Sequence, residues 1–262
     1  MNARNVSHRF VLRGNIQQLI LLNAEDAEIT REVLNDWEKG ELVARPKTKL
    51  RQKHFQFIEK PARLTLLLIF LSCVGGALAS FGVEFIQPFT FWDPAHRIYF
   101  AIAGTDPWID ISTGQYWRIF TPIFLHFGPV HLIFNGLWFW YLGSQVELHQ
   151  SRWMLLVITL LIAITSNVVQ AYFSAGAIFG GLSGVVYGLF SYVWLTGRLD
   201  KNSQVRLPDV LFAIITVLML LSPLGIFDII VNAEIADAAH ISGFITGAFL
   251  ATAIYLFHRI RN

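Results

Sequence analysis

The chain has 262 residues, of which 54% are hydrophobic and only 15% charged, well under the roughly 25% charge of an average soluble domain. That balance excludes an ordinary soluble domain and places the chain in a membrane class. With 20 basic against 18 acidic residues the net charge is +2, so no basic excess argues for nucleic acid, and the single Cys73 excludes an intramolecular disulfide or a cysteine-rich metal site.

Residues 1–61 read as a small cytoplasmic domain of α+β type. Gln17 to Leu22 suit a strand, Asn23 suits a helix N-cap, and Ile29, Val33, Leu34 and Trp37 form an apolar helical stripe ending near Gly40. The first sixty residues lack a basic stretch followed by an apolar run and a small-residue cleavage site, so no cleaved signal peptide is expected. Nothing in this segment looks catalytic.

From residue 62 to residue 262 the character changes. Apolar runs at about 64–83, 129–146, 153–172, 182–197, 209–227 and 238–257 predict an all-α membrane domain of six spans, the fourth shorter than the rest. Arg45, Lys47, Lys49, Arg51, Lys53, Lys60 and Arg63 precede the first span and should stay cytoplasmic. Alternation then puts both termini inside, together with Arg152, Arg198, Lys201, Arg206, Arg259 and Arg261, and leaves only Arg97 and Arg118 outside. The outer segment from Phe85 to Gly128 has no clean spanning run. Its Phe89, Phe91, Trp92, Tyr99, Trp108, Tyr116 and Trp117 suit a membrane interface.

Within the six spans as drawn the only Asp, Glu, Lys or Arg is Asp209, the first residue of the fifth, and away from the span ends the titratable groups of ordinary acid-base chemistry reduce to His131 and His240. Polar groups are costly inside a bilayer and mark function. His131 and Asn135 are four apart and share a helix face in the outer part of span two, Ser183 opens span four, and His240 lies near the outer start of span six. Topology thus gathers a serine, two histidines and an asparagine at similar depth. Gly176, Gly180 and Gly181 permit an irregular loop at membrane depth, tolerable where it lines a wet cavity. Gly184 and Gly188 in span four, with Ala239, Gly243 and Gly247 in span six, have the spacing of closely packed helices. Such packing would bring Ser183 within hydrogen-bond reach of His240 as its general base, and Tyr187, one turn on, falls on the same face. Each feature has a bland reading: a serine before glycine is usually packing, an intramembrane histidine is as often structural as functional, and an asparagine is usually interhelical glue. Their conjunction at one depth favours a site.

These residues resemble the rhomboid family of intramembrane serine proteases. Gly181-Leu182-Ser183-Gly184 resembles the family's G-x-S-G motif, Ala239-His240 with Gly243 and Gly247 its A-H-x-x-G-x-x-x-G helix, His131 to Asn135 its H-x-x-x-N element, and Trp117-Arg118 its first-loop pair. Residues 62–258 carry the likeness, closest to the bacterial six-helix type. The resemblance implies a dyad without an acidic third member, with Ser183 as nucleophile and His240 as base. It also implies an oxyanion site of His131, Asn135 and the Ser183 backbone N–H, with Tyr187 packed on His240 and Gly181 and Gly184 in support. Arg118 and Glu147 take structural positions. The implied partners are single-span transmembrane protein substrates and membrane lipid, with no nucleic acid, metal or organic cofactor, in a bacterial inner membrane. A dead relative would be expected to lack the serine or a histidine, and a transporter to keep buried charges and paired broken helices.

Overall fold

The structure, a computed structural model, describes residues 8–13, 16–21, 26–39, 61–94, 108–174, 177–222 and 236–261. Expectations for Leu22, Asn23, Gly40, Arg45 to Lys60, Arg97, Tyr99, Gly176 and the 223–235 connection lie outside these residues. The chain divides into two compact units, Met1–Pro61 and Ala62–Asn262.

In the first unit, strands β1 (His8–Arg13) and β2 (Ile16–Leu21) pair antiparallel, with His8 opposite Leu21 and Arg13 opposite Ile16. Helix α1 (Ala27–Glu38) follows, and its Thr30 hydroxyl donates to the Asp26 carbonyl at 2.7 Å. Ile29 and Leu34 of the expected apolar stripe are exposed.

The second unit is helical. Among the described residues it holds six helices of 13 or more residues: α2 (Arg63–Phe81), α5 (Pro129–His149), α6 (Arg152–Phe173), α7 (Ser183–Leu199), α8 (Asp209–Leu221) and α9 (Asp237–Arg261). Two four-residue helices, α3 (Val83–Ile86) and α4 (Ile109–Ser112), lie between α2 and α5. Helices α2, α6 and α9 are each long and apolar enough to cross a membrane. Helix α5 has the length, but it carries His131, Asn135, Gln145 and Glu147. Helix α7 has 17 residues, roughly 26 Å at 1.5 Å per residue, which is less than a hydrocarbon core of about 30 Å.

Helix ends show how local chemistry sets these boundaries. Ser151 caps α6 by accepting the Met154 N–H at 3.0 Å. Helix α2 has no side-chain cap from its own N-cap residue. Instead Glu147, near the end of α5, accepts the Leu64 N–H at 2.9 Å and the Thr65 N–H and Oγ1 at 2.8 Å each. A carboxylate at a helix N-terminus satisfies orphan amides and complements the helix dipole. Glu147 therefore ties two distant helices together at one end.

Helix α7 is the centre of the packing. Its Val185, Leu189, Tyr192 and Val193 have no exposed surface, and it is surrounded by α5, α6 and α9. Toward α9 the approach is backbone to backbone: a Cβ added at Gly243 would overlap the Gly184 carbonyl, and one at Gly247 the Gly188 carbonyl. Small residues let apolar helices approach closely where no hydrophobic drive separates protein from lipid. The Ser191 hydroxyl reinforces the seam by donating to the Phe244 carbonyl at 2.6 Å.

The stretch before α5 is organised by Arg118, which is 2% exposed. Its Nη1 donates to the carbonyls of Gln87 at 2.7 Å and Thr90 at 2.8 Å, its Nε donates to Gln115 Oε1 at 2.8 Å, and its Nη2 lies 3.9 Å from Asp93. A buried guanidinium here gives irregular backbone the donors that regular structure would supply. One expectation is corrected: Phe91 and Trp92 do not face an interface but are 2% and 8% exposed. Their rings lie 5.8 and 5.9 Å from that of Phe179, so they bury apolar surface against the loop leading to Ser183. Phe89, Trp108, Tyr116 and Trp117 are exposed.

Candidate active site

Ser183 is the first residue of α7, where the helix dipole favours negative charge. The turn before it depends on Gly181, whose φ of +126° disfavours any side chain. An added Cβ there would lie 2.8 Å from His131 Cε1. The His131 ring thus packs against the turn itself.

Ser183 Oγ lies 2.8 Å from His240 Nε2. His240 is 7% exposed, and its distance to the serine follows from the glycine seam, because Gly243 is one turn after His240 and meets Gly184, the residue after Ser183. Gly184 is also fitted against α6: a Cβ there would stand 2.9 Å from Ser166 Cβ. The Tyr187 ring lies 4.6 Å from the imidazole at 36°, which fixes one ring face. His240 Nδ1 is buried and has no hydrogen-bond partner among the described residues. When Nε2 accepts from the serine hydroxyl, Nδ1 carries the proton, so the other end of the ring is held by packing rather than by a carboxylate among the described residues.

Asn135 is one turn after His131 on α5 and 4% exposed. Ser183 and Tyr187, one turn apart on α7, thus both meet His240 of α9. His131 reaches the same turn from α5, and Asn135 sits one turn deeper on that helix.

Three residues near this site escaped the sequence reading. His126, 1% exposed, places Nε2 3.3 Å from the Leu182 N–H. Gln170 Oε1 accepts the Ala239 N–H at 3.0 Å, an amide near the head of α9 that it shares with the Ala236 carbonyl, also at 3.0 Å. Asp237 opens α9, one turn before His240, and its Oδ1 is buried without a partner among the described residues. Helix α9 thus begins one residue before the span drawn from hydropathy, and an acidic group lies at its head. The sequence signal for His126 was a histidine between apolar residues in a non-helical stretch. Periodicity does not pick out such a position.

A serine hydrogen-bonded to a histidine at the head of a central, glycine-packed helix, inside a bundle of apolar helices, marks a membrane protein with a candidate serine–histidine site. Residues 113–257 match the model of the Rhomboid domain. A rhomboid protease GlpG of Salmonella newport (strain SL254) is 33% identical over 248 residues, covering 92% of this chain and 79% of its own. Proteins of the same name from Yersinia pestis (strain Pestoides F) and Yersinia pseudotuberculosis serotype O:3 (strain YPIII) are each 47% identical over 137 residues, covering 52% of this chain and 48% of theirs. In those matches the chain spans about half the length of the Yersinia relatives. The chain belongs to the rhomboid family.

Proposed function

We propose that this chain is an intramembrane serine endopeptidase that cuts single-span transmembrane proteins near the outer membrane boundary. The observation that carries the reading is the 2.8 Å contact of Ser183 Oγ with His240 Nε2 at the start of a helix shorter than a hydrocarbon core is thick. Ser183 Oγ attacks the peptide carbonyl while its proton passes to His240 Nε2. Collapse of the tetrahedral adduct breaks the C–N bond, and the imidazolium returns the proton to the leaving amine. Water then attacks the acyl ester with His240 again as base, releasing the acid and restoring the serine. His131, Asn135 and the Ser183 N–H stabilise the oxyanion, each donor contributing on the order of a few kcal/mol. Tyr187 orients the base, and Gly181 and Gly184 provide the close approaches.

All six long helices act as spans, with both termini and the N-terminal unit on the cytoplasmic side of a bacterial inner membrane and lipid around the bundle. A substrate helix must unwind before its carbonyls become accessible, since each is bonded within the helix. Small or helix-destabilising residues lower that cost, glycine by about 1 kcal/mol relative to alanine. Cleavage therefore falls near the outer end of the substrate span, beside such helix-destabilising residues, and after a small side chain such as alanine, as the family resemblance implies. Helix α8, which supplies none of the site residues, is the lateral entrance.

A serine-directed fluorophosphonate should label the native chain in detergent but not Ser183→Ala. Mass spectrometry of a reporter cut in a reconstituted bilayer should place the scission at the outer boundary. Labelling that survives in Ser183→Ala would overturn the nucleophile, and scission at the cytoplasmic boundary would overturn the topology.

A further inference from the structure

The peptidase reading leaves one buried histidine unused. His126 lies in the non-helical stretch just before α5, is 1% exposed, and has a definite partner at each ring nitrogen. Nδ1 is 3.2 Å from the Phe124 carbonyl oxygen, and Nε2 is 3.3 Å from the Leu182 amide nitrogen. A carbonyl can only accept and an amide N–H can only donate, so both bonds exist together only when Nδ1 carries a proton and Nε2 does not. The two partners thus select one tautomer of the neutral ring. The surroundings agree, because burial and then the neighbouring His131 push His126 down to about 4.

The amide it holds is in a telling place. The Gly181 N–H donates to the Pro122 carbonyl at 3.0 Å, and the next amide, that of Leu182, donates to His126. Two successive amides of the turn are thereby fastened to the 121–126 segment, and the amide that follows is the Ser183 N–H at the head of α7. Gly180 brings the two backbones together, since a Cβ there would stand 2.7 Å from the Pro122 oxygen. The His126 ring also lies 5.0 Å from the ring of His131, which itself rests on Gly181. One imidazole therefore borders both the backbone and the side-chain members of the proposed oxyanion site.

We propose that His126 is a positioning residue which, as the neutral Nδ1–H tautomer, holds the Leu182 amide and so aims the Ser183 N–H at the oxyanion. The assignment rests on the peptidase reading for its kinetic consequence, but its tautomer can be read independently. Protonation at Nε2 would set two donors against each other. An apolar replacement would leave the Leu182 N–H buried without an acceptor and the turn free to shift. Glutamine can place Oε1 near the position of Nε2 and accept the same bond.

The test compares His126→Leu and His126→Gln with the native chain by cleavage of a single-span reporter in reconstituted bilayers, alongside thermal unfolding. The leucine variant should lose roughly tenfold to a hundredfold in kcat with KM within about twofold, somewhat less than the loss of an oxyanion donor itself. The glutamine variant should recover most of that loss. A leucine variant with native kcat, a loss confined to KM, or a folded glutamine variant no better than leucine would overturn the proposal. Nitrogen NMR of the native chain with labelled histidine gives a readout that needs no variant to fold. The His126 ring should stay neutral and Nδ1-protonated from about pH 8 to pH 5, where an ordinary histidine titrates. An Nε2-protonated ring, or titration near the ordinary value, would refute the assignment. If the native chain neither cuts the reporter nor takes the fluorophosphonate, the peptidase reading fails, and the NMR result still decides the tautomer.

Discussion

Replacing Gly243 by alanine adds one methyl group at the narrowest point between α7 and α9. Its Cβ would lie 2.9 Å from the Gly184 carbonyl carbon and closer still to the oxygen, whereas comfortable carbon contacts are about 3.5–4.0 Å, so the helices must part by about 1 Å. The obstacle is backbone on both sides, which leaves no side chain to rotate away. Overpacking of this kind costs about 1–3 kcal/mol, and the upper end applies where nothing can yield. Alanine's helix preference returns about 1 kcal/mol, for a net loss of about 2 kcal/mol. The catalytic effect should be larger than the loss of stability suggests. Gly184 follows Ser183 and Gly243 lies one turn after His240, so parting the seam lengthens the 2.8 Å contact of the pair beyond hydrogen-bond range. A misplacement near 1 Å costs on the order of a hundredfold in rate. Gly136→Ala provides the control, because its Cβ would meet only Ile69 Cγ2, at an ordinary 3.9 Å. It should keep native turnover and unfold no more readily than the native chain. Unfolding in detergent and reporter cleavage in bilayers read both quantities. If Gly243→Ala matched the native chain in turnover and stability, the seam would not set the distance between nucleophile and base.

Ser183→Ala and His240→Ala should each abolish nearly all proteolysis with helical content unchanged by circular dichroism, and the double variant should be no worse, because members of one catalytic unit do not add. Substantial specific cleavage by any of the three would exclude the pair as the machinery. Asn135→Ala and His131→Ala should each lower turnover by roughly a hundredfold with KM little changed, as expected for bonds strongest in the transition state; untouched kinetics would reassign both to packing. Glu147→Gln should lower stability by about 1–3 kcal/mol, since the amide nitrogen cannot accept and at least one α2 donor loses its partner. An unchanged unfolding midpoint would show that water replaces the cap without penalty.

The residues whose chemistry is rare in a bilayer are legible in the sequence itself. Ser183, His131, Asn135 and His240 stand out because apolar surroundings make each polar side chain conspicuous, and alternating helix direction leads to the expectation that they share one depth. The glycine spacing pointed to close helices, although only the structure shows that Gly243 faces Gly184 and Gly247 faces Gly188. The irregular outer segment was less readable. Phe91 and Trp92 look like interfacial aromatics by composition, and what buries them is Phe179, more than eighty residues later in the chain. Arg118 bonds carbonyls 28 and 31 residues upstream, so nothing in its local sequence reveals the partners. Strand β1 was missed because His8–Arg13 alternates weakly, and its pairing with β2 settles its conformation.

The site depends on two separate interfaces that meet at one residue. The glycine seam between α7 and α9 sets the reach of Ser183 Oγ to His240, the proposed base, whereas the bonds from Gly181 and Leu182 to Pro122 and His126 set the direction of the turn that carries its amide. The two act on different parts of the reaction. A widened seam weakens proton transfer and so slows every reaction that needs an activated serine, including phosphonylation by the probe. A loosened turn leaves the base in place and weakens stabilisation of the negative oxygen, which is strongest in the tetrahedral state. Combining Gly243→Ala with His126→Leu should therefore give a loss close to the product of the single losses. Combining Ser183→Ala with His240→Ala should not, because those two side chains perform one step together.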